Sequence, residues 1–198
     1  MKKNRIIYLL GGNSKRFPSN KLLYKLNGKE LYTYTLDKLV RLVDVYGYEL
    51  YLVTQYKDIV DSIHDHRIHV IYDTDCQYGA SYSIKAALSN LEKIDGYDTF
   101  VVADTPYLSY ETLDNFMKQT IQSNKLVGCV TYNQEYYNPV MFHTSLEKEL
   151  LKLEKDQGGK KVFKKHLDNA YLYELMNEKE TFDIDRIEDI ERYINETD

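Results

Sequence analysis

The segment from Gly11 to Lys21 has the composition of a phosphate-binding loop. It reads GGNSKRFPSNK and follows directly on the apolar run IIYLL. Glycines let backbone N–H groups approach an oxyanion closely, Ser14 adds a hydroxyl donor, and Arg16 and Lys21 can make charge-assisted contacts to phosphate oxygens. The segment matches neither GxGxxG nor GxxxxGK[ST]. Taken alone, it is equally compatible with a glycine turn that carries solvated basic residues.

A second candidate is Asp104, which ends another apolar run in the sequence FVVADTP. A carboxylate at the C-terminal end of a buried strand, followed by a proline that stiffens the turn, suits a Mg²⁺ ion beside nucleotide phosphates. The alternative is an aspartate that caps the helix predicted to begin near Ser109.

A third candidate is the pair Asp183 and Asp185 in the sequence FDID. In an extended segment the two carboxylates point to one face, and one of them could complete a metal site with Asp104. The alternative for Asp185 is the N-cap of a helix predicted over Arg186–Ile194, with Glu188 in the capping-box position.

Two further groups carry weaker signals. The sequence DQGGK, from Asp156 to Lys160, offers donors to an anionic substrate or simply ends one helix and starts another. His64, His66 and His69 lie where a helix passes into a strand, so a solvated boundary is favoured there over a set of metal ligands.

Composition and charge exclude several classes of protein. The 198 residues include 26 Lys+Arg and 31 Asp+Glu, for a net charge of −5, which lacks the basic footprint of sequence-independent nucleic-acid binding. Cys76 and Cys129 form no CxxC pair and favour a reducing, cytoplasmic compartment. No run approaches the roughly 20 apolar residues of a membrane span. We therefore expect a cytoplasmic protein without nucleic-acid or membrane partners.

The elements that must position these candidates alternate between strand and helix. Continuous apolar runs predict strands buried on both faces, at Arg5–Leu10, Leu50–Thr54, Ile68–Tyr72, Thr99–Ala103 and Leu126–Thr131. Helical spacing of apolar residues separates them. The alternation predicts an α/β fold, a three-layer sandwich with a mostly parallel, Rossmann-like sheet. Such sheets bind ligands at the carboxyl ends of their strands, where Gly11–Lys21 and Asp104 would meet.

The pattern weakens after Tyr132. An extended segment is predicted at Tyr136–His143, and helices at Leu146–Leu153 and Lys160–His166. Because no linker interrupts the chain, we expect one domain over residues 1–198, with residues 132–185 laid over the functional edge of the sheet.

Seven segments resemble, in order, the motifs of MobA-like and MocA-like NTP transferases, the nucleotidyltransferases of the molybdenum-cofactor type. LGGNSKRFPSNKLL, from Leu10, resembles LAAGxSxRMGxxKxL. The next three segments resemble the family's next three motifs: NGKEL resembles G-x-P-L, GASYSI resembles G-x-S-x-S-[IL], and ADTP resembles [GC]-D-x-P. The last three do the same: NPVMF resembles [NG]-P-x-x-[LF], DQGGK resembles GDxGAR, and DID resembles DIDTPED. The resemblance covers nearly the whole chain. Departures at Leu10-Gly11, Pro18 and Gly159-Lys160 bear on substrate identity more than on reaction class.

The resemblance implies a nucleotide-diphospho-sugar transferase type of fold and a Mg²⁺-dependent enzyme that transfers NMP from an NTP to a phosphorylated acceptor, releasing pyrophosphate. CTP and molybdopterin or molybdenum cofactor are the expected substrates, with a client molybdoenzyme as an implied partner. It assigns catalytic roles to Arg16, Lys21 and Asp104, and metal binding to Asp104 and Asp185. The implied NTP-binding residues are Leu10, Gly11, Gly12, Asn13, Ser14, Gly79 and Ser81, and the implied acceptor-binding residues are Asn138, Pro139, Asp156, Gly158, Gly159 and Lys160.

Two alternatives remain open at this point. One is nucleotidyl transfer, from CTP or another NTP, to a sugar, polyol or choline phosphate, because related families share the opening loop and the aspartate at the strand end. The other is a non-catalytic accessory protein that binds a cofactor for a molybdenum hydroxylase. Retention of Arg16, Lys21 and Asp104 together favours catalysis, since binding alone does not need the full set.

Overall fold

The structure is a computed structural model that describes residues 3–11, 17 and 20–190. Within this part of the chain the main sheet contains seven strands: β1 (Lys3–Leu10), β4 (Glu49–Thr54), β5 (Ile68–Tyr72), β6 (Gly96–Val102), β7 (Val127–Tyr132), β8 (Glu135–His143) and β9 (Ala170–Glu174). Two short strands, β2 (Lys25–Leu26) and β3 (Lys29–Glu30), form a separate antiparallel pair. All five predicted strands are present.

The strand order in the main sheet is β5-β4-β1-β6-β8-β7-β9. Neighbouring strands are parallel from β5 to β6, and β9 is parallel to β7. Strand β8 runs antiparallel to both of its neighbours. The prediction of a mostly parallel, Rossmann-like sheet is therefore confirmed, and the reversed strand of this sheet lies beside β6, the strand that precedes Asp104.

Six α-helices of the described chain cover the two faces of the sheet. They are α1 (Leu31–Tyr46), α2 (Lys57–Ser62), α3 (Ala80–Ser89), α4 (Tyr110–Ser123), α5 (Glu147–Leu150) and α6 (Lys160–Phe163). Apolar residues of α1, α2 and α4 form a core on one face, and those of α3, α5 and α6 form a core on the other. This arrangement is the predicted three-layer sandwich.

The apolar residues of β1 do not alternate with polar ones, because both faces of this strand are buried. Ile6 and Tyr8 pack into the core under α1 and α4, whereas Ile7 packs into the core under α3. All three side chains are fully buried. A strand with helices on both faces buries side chains of both orientations, which is why residues 6–10 are all apolar.

The segment 132–185, expected to lie over the functional edge, also contributes β8 and β9 to the main sheet. Its helices are shorter than predicted. A 3-10 turn at Thr144–Leu146 precedes α5, and another at Lys164–Asn169 follows α6. The predicted C-terminal helix is helical at 187–190, and its remainder lies outside the described residues. No helix in the described ranges is long and apolar enough to cross a membrane.

A buried ion pair joins β1 to β6 at the end of the sheet opposite to the strand ends described below. The guanidinium of Arg5 donates two hydrogen bonds to the carboxylate of Asp98, with N···O distances of 2.6 and 2.9 Å. It donates a third to Glu147 at 2.7 Å and a fourth to the carbonyl oxygen of Glu92 at 2.6 Å. Arg5 and Asp98 are opposite each other in register, so this pair connects the two central strands directly.

Candidate active site

A cleft opens at the carboxyl ends of β1 and β6, where the sequence predicts the functional edge. Its volume is about 240 Å³. The described residues that line it are Leu9, Gly11, Lys21, Leu22, Gly79, Ala80, Ser83, Val102, Ala103, Asp104 and Asp156. The fold thus brings the first loop, the start of α3 and the end of β6 to one place.

Lys21 lies in the wall of this cleft and contacts three acceptors. Its Nζ donates to Asp104 Oδ2 at 3.0 Å, to Asp185 Oδ1 at 2.9 Å and to the carbonyl oxygen of Ile184 at 2.9 Å. Only 14% of the side chain is exposed. Burial by itself lowers the pKa of Lys21, but the two carboxylates outweigh burial and raise its pKa above the usual value. Lys21 is therefore a fixed, permanently charged group at neutral pH.

Local structure holds the Lys21 backbone in place. The side-chain oxygen of Asn20 accepts a hydrogen bond from the N–H of Leu22 at 3.1 Å, which caps a 3-10 turn over Lys21–Leu23. Leu22 is buried in the core on the α1 side of the sheet. The turn is anchored on both sides of the lysine, so its ammonium group is directed at the aspartates.

The capping alternative does not apply to Asp104. Ser109 itself caps α4, because its Oγ accepts from the N–H of Thr112 at 3.0 Å. At the C-terminal helix, the N–H groups of Asp185 and Arg186 both donate to Asp189 Oδ2, at 2.9 and 2.7 Å. Asp104 is thus not the cap of α4, and both Asp104 and Asp185 form ion pairs with Lys21 in the wall of the cleft.

Asp104 and Asp185 fit a divalent cation of the Mg²⁺ type. One carboxylate oxygen of each lies within 3.0 Å of the same nitrogen, Nζ of Lys21, so hard oxygen ligands converge there. Among the described residues no group of three or more His, Cys, Asp or Glu side chains could hold a metal ion. Mg²⁺ is commonly held by one or two carboxylates, with phosphates and waters completing its shell. The pair therefore suits a metal that shares its ligands with a nucleotide.

A second cavity of about 250 Å³ adjoins the first at Val102 and Asp104. Its lining also includes Thr105, Tyr137, Asn138, Lys160, Glu180, Thr181 and Asp183. Lys160 Nζ donates to the carbonyl oxygen of Tyr136 at 2.6 Å and lies 5.6 Å from the centroid of the Tyr137 ring. Asn138 and Lys160, two of the predicted acceptor residues, therefore lie on the far side of Asp104 from the first loop.

Asp183 adds a third carboxylate to this region. Partial desolvation and the nearby carboxylates of Asp104 and Asp185 raise the pKa of Asp183, although its side chain remains exposed. The ion pairs of Lys21 are with Asp104 and Asp185. Asp183 therefore faces the second cavity as the carboxylate of this group that Lys21 does not neutralise directly.

The other predicted site residues take varied positions. Leu10 is fully buried in the core, while its neighbours Leu9 and Gly11 line the cleft. Pro139 lies within β8 and follows a cis peptide bond. Gly159 packs against the ring of Phe142, where a Cβ would come within 3.1 Å, and Gly158 lies near Ala80. The predicted residues Gly12, Asn13, Ser14 and Arg16, and the departure at Pro18, lie outside the described residues.

Ser81 ties the segment around Asp156 to the start of α3. Its N–H and its Oγ both donate to the carbonyl oxygen of Lys155, at 3.3 and 2.7 Å. Asp156 accordingly lies in the first cleft beside Gly79 rather than in the second cavity with Asn138 and Lys160. The predicted nucleotide residue Ser81 and the predicted acceptor residue Asp156 are thus parts of one structure.

Gly79 is required by this close approach. Its φ is +132°, and a Cβ there would lie 2.4 Å from Asp156 Oδ1 and 2.8 Å from the carbonyl oxygen of Lys155. Backbone strain alone costs about 1–3 kcal/mol, and the collision of the new Cβ with Asp156 and Lys155 adds to it. We therefore expect Gly79→Ala to lower the free energy of unfolding by more than about 3 kcal/mol. Urea unfolding measures this loss.

The matched control is Gly47→Ala. Gly47 also has a positive φ, +66°, but a Cβ there meets nothing within 4 Å. We expect this variant to lose about 1 kcal/mol of stability and to keep nucleotide affinity. Equal losses in the two variants would contradict the close contact at Gly79.

Two residues of this site were assigned no role from the sequence, although Ser83 lies in the motif segment GASYSI. Ser83 is buried and lines the cleft, with its Oγ 2.3 Å from the position of a Cβ on Gly11. Lys38 of α1 donates to the carbonyl oxygens of Pro106 and Leu108, both at 2.7 Å, and so shapes the turn after Asp104. Burial lowers the pKa of Lys38 to about 8. Neither role could be read from spacing, because both contacts join distant parts of the chain.

The site is built for charge neutralisation rather than for covalent catalysis. Burial raises the pKa of Cys129 to about 12 and also raises the pKa of Cys76, so neither thiol is a nucleophile at neutral pH. His143 contacts Ser145, and His166 contacts Glu149, outside the residues that line the two cavities. The described residues offer two adjoining cavities, with the ammonium group of Lys21 between two convergent carboxylates in the first and the ammonium group of Lys160 in the second.

The chain is similar in sequence to known proteins. A family model described as "MobA-like NTP transferase domain" matches residues 6–170. A "Probable molybdenum cofactor guanylyltransferase" of Thermococcus gammatolerans is 32% identical over 155 residues, which are 76% of this chain and 74% of that protein.

Two solved structures share the fold. A nucleotidyl transferase from Methanothermobacter superposes with a TM-score of 0.80 at 16% identity, covering 98% of this chain and 97% of that one. A Mycobacterium tuberculosis protein, Rv0371C in complex with manganese, gives a TM-score of 0.71 at 16% identity, covering 98% of this chain and 99% of that one.

Proposed function

The chain belongs to the MobA-like NTP transferase family and is a nucleotidyltransferase, and we propose that it transfers GMP from GTP to a molybdopterin-type acceptor in molybdenum cofactor biosynthesis. The reaction would be an in-line attack by an acceptor phosphate oxygen on the α-phosphorus, with pyrophosphate as the leaving group. No protein nucleophile or strong general base is required, because a phosphate monoester oxygen is ionised at pH 7. Catalysis then depends on positioning and on neutralisation of charge.

The observation that carries this proposal is the position of Lys21 between Asp104 and Asp185, where the two cavities meet. Its ammonium group would neutralise charge that builds on the α-phosphate. A divalent metal would supply Lewis-acid stabilisation of the triphosphate, held by Asp104 and Asp185. We propose Mg²⁺ in this role, and the manganese complex of a structural relative supports a divalent metal in this fold.

The two cavities suit two substrates. The first cleft, between Gly11, Gly79 and Lys21, would take the NTP, and Arg16 would contact the phosphates that leave. The second cavity, with Asn138 and Lys160, would take the acceptor. Asp104 lines both, so the α-phosphate would lie at their junction. In this arrangement residues 132–185 supply the acceptor side of the site from within the same domain.

The identity of the base is the point at which sequence expectation and relatives differ. The motif pattern favoured CTP, but the Thermococcus relative is named a guanylyltransferase, so the CTP preference is not confirmed. We therefore propose GTP as the substrate and treat cytidylyl transfer, to molybdopterin or to a sugar, polyol or choline phosphate, as an outcome of the test.

The test is the thermal stability of the purified protein with GTP, CTP, ATP and UTP, each with and without Mg²⁺. A ligand at 100 times its Kd stabilises the native state by about 2.7 kcal/mol, which raises the Tm of a chain of this size by about 5–10 °C. We expect this shift with GTP and Mg²⁺, and a much smaller one with GTP and EDTA. The same shift with CTP alone would restore the cytidylyl prediction.

Binding and catalysis are then separated by pyrophosphate release with molybdopterin as the acceptor. Release that depends on both GTP and molybdopterin is the expected result. A protein that binds GTP but releases no pyrophosphate with any phosphorylated acceptor would be the non-catalytic accessory protein. The absence of a thermal shift with every NTP would contradict both the enzyme and the nucleotide-binding accessory protein.

A further inference from the structure

Asp156 projects a carboxylate into the nucleotide cleft at the start of α3. Its Oδ1 lies where a side chain on Gly79 would begin, 2.4 Å from the position of a Cβ. Asp156 and Gly79 line the same cleft as Lys21, but the ion pairs of Lys21 are with Asp104 and Asp185. The cleft therefore has a cationic group at the junction of the two cavities and a separate carboxylate beside Gly79.

The segment that carries Asp156 is held in place. The carbonyl oxygen of Lys155 accepts two hydrogen bonds from the fully buried Ser81, and the N–H of Glu154 donates to Gln157 Oε1 at 3.1 Å. The carboxylate itself is exposed and has no hydrogen-bond or ion-pair partner among the described residues. A carboxylate that is positioned by its neighbours but free at its own oxygens can accept hydrogen bonds from a ligand.

Charge decides which part of a nucleotide can meet this group. The triphosphate is anionic and belongs at Lys21 and the first loop, and a carboxylate repels it. Asp156 therefore faces the nucleoside, whose N–H and O–H groups are the donors that a carboxylate can accept. The cleft accordingly orients an NTP with its phosphates at Lys21 and its nucleoside at Asp156.

Among the four common bases, guanine alone presents two adjacent N–H donors, N1–H and the 2-amino group, on one edge. Adenine and cytosine present one amino group beside an acceptor nitrogen, and uracil presents one N–H between two carbonyl oxygens. A carboxylate pairs in bidentate fashion with the guanine edge and meets a repulsive acceptor on each of the others.

We infer that Asp156 is the specificity-determining residue that selects guanine, by accepting hydrogen bonds from N1–H and the 2-amino group of GTP. This inference rests on the proposed function, and it moves Asp156 from the acceptor side, where the motif placed it, to the nucleotide side. Ser81 acts through Lys155 as a positioning residue for this carboxylate.

The test is the binding of GTP, ITP, XTP and ATP, with Mg²⁺, to Asp156→Asn and to the wild-type protein by calorimetry. Inosine lacks the 2-amino group, and xanthine has a carbonyl oxygen in its place. An asparagine oxygen can still accept from N1–H, while its amide group can donate to the xanthine carbonyl. We expect GTP affinity to fall about 10- to 100-fold and XTP to bind the variant more tightly than GTP does.

The control variant is Asp61→Asn, an exposed aspartate on α2, which should leave the affinities for all four nucleotides unchanged. An Asp156→Asn protein that keeps wild-type GTP affinity would overturn the inference. Equal losses for GTP, ITP and ATP would also overturn it, because they would indicate a contact to the ribose or a structural effect. If the wild-type protein binds ATP as tightly as GTP, the selection of guanine is contradicted, whereas the proposed nucleotidyl transfer is not.

Discussion

Replacing Lys21 with methionine is expected to reduce pyrophosphate release by about 10³-fold while the protein remains folded. Methionine keeps much of the length and apolar stem of lysine but removes the ammonium group that lies within 3.0 Å of Asp104 and Asp185. Charge that develops on the α-phosphate would lose its neutralising partner, and the two carboxylates would lose theirs. Single-turnover release of pyrophosphate at saturating GTP and Mg²⁺ measures the effect on the chemical step.

The matched control for Lys21→Met is Lys25→Met, because Lys25 is an exposed lysine on β2, four residues away. It should retain activity within about twofold, since surface substitutions change little. Equal activities of the two variants would exclude a catalytic role for Lys21.

The ion pairs of Lys21 with Asp104 and Asp185 should not make the free energy of unfolding depend on pH near neutrality through the titration of Lys21. Since the pKa of Lys21 is raised in the folded protein, the stabilisation is fully present below the unfolded pKa of about 10.4 and is lost only as pH rises through the folded pKa. The difference in unfolding free energy between wild type and Lys21→Met should therefore be constant, as far as Lys21 titration is concerned, between about pH 7 and pH 9.

The second large effect is expected from Arg5→Met, which should lower the free energy of unfolding by about 3–5 kcal/mol. Arg5 and Asp98 are each only 1% exposed, so removal of the guanidinium leaves a buried carboxylate without its partner. Urea unfolding measures this loss. Because the pair lies at the end of β1 and β6 remote from Asp104, the fraction that remains folded should keep its nucleotide affinity.

Two further variants make this second prediction specific. Lys3→Met breaks an exposed pair with Glu49, in which Lys3 is 61% exposed, and should cost less than about 1 kcal/mol. The double variant Arg5→Met with Asp98→Leu removes both buried charges and should be more stable than Arg5→Met alone. A double variant less stable than the single one would contradict an uncompensated charge as the cause.

The fold could be predicted from the sequence to a large extent because burial leaves a local pattern. The apolar runs of β1 and β6 must be continuous when helices cover both faces of the sheet, and that requirement is visible within each run. The reversed direction of β8 leaves no such pattern, because parallel and antiparallel strands present similar side chains to the core. Helices α5 and α6 were predicted, but their shorter extent was missed for a related reason, since a 3-10 turn continues the apolar spacing of an α-helix over a few residues.

For the candidate site, the sequence by itself determined which chemical groups the chain offers: a basic loop after β1, Asp104 after β6 and an aspartate pair near residue 184. Each group was recognised from its neighbours in the sequence, because an apolar strand followed by glycine or a charged residue is a pattern of contiguous residues. Only the tertiary structure decided that Asp185 rather than Asp183 contacts Lys21, and that Asp156 lies beside Gly79. The physical reason is that these contacts join residues more than 70 positions apart or depend on which of two neighbouring carboxylates points inward, and neither choice leaves a mark on local spacing.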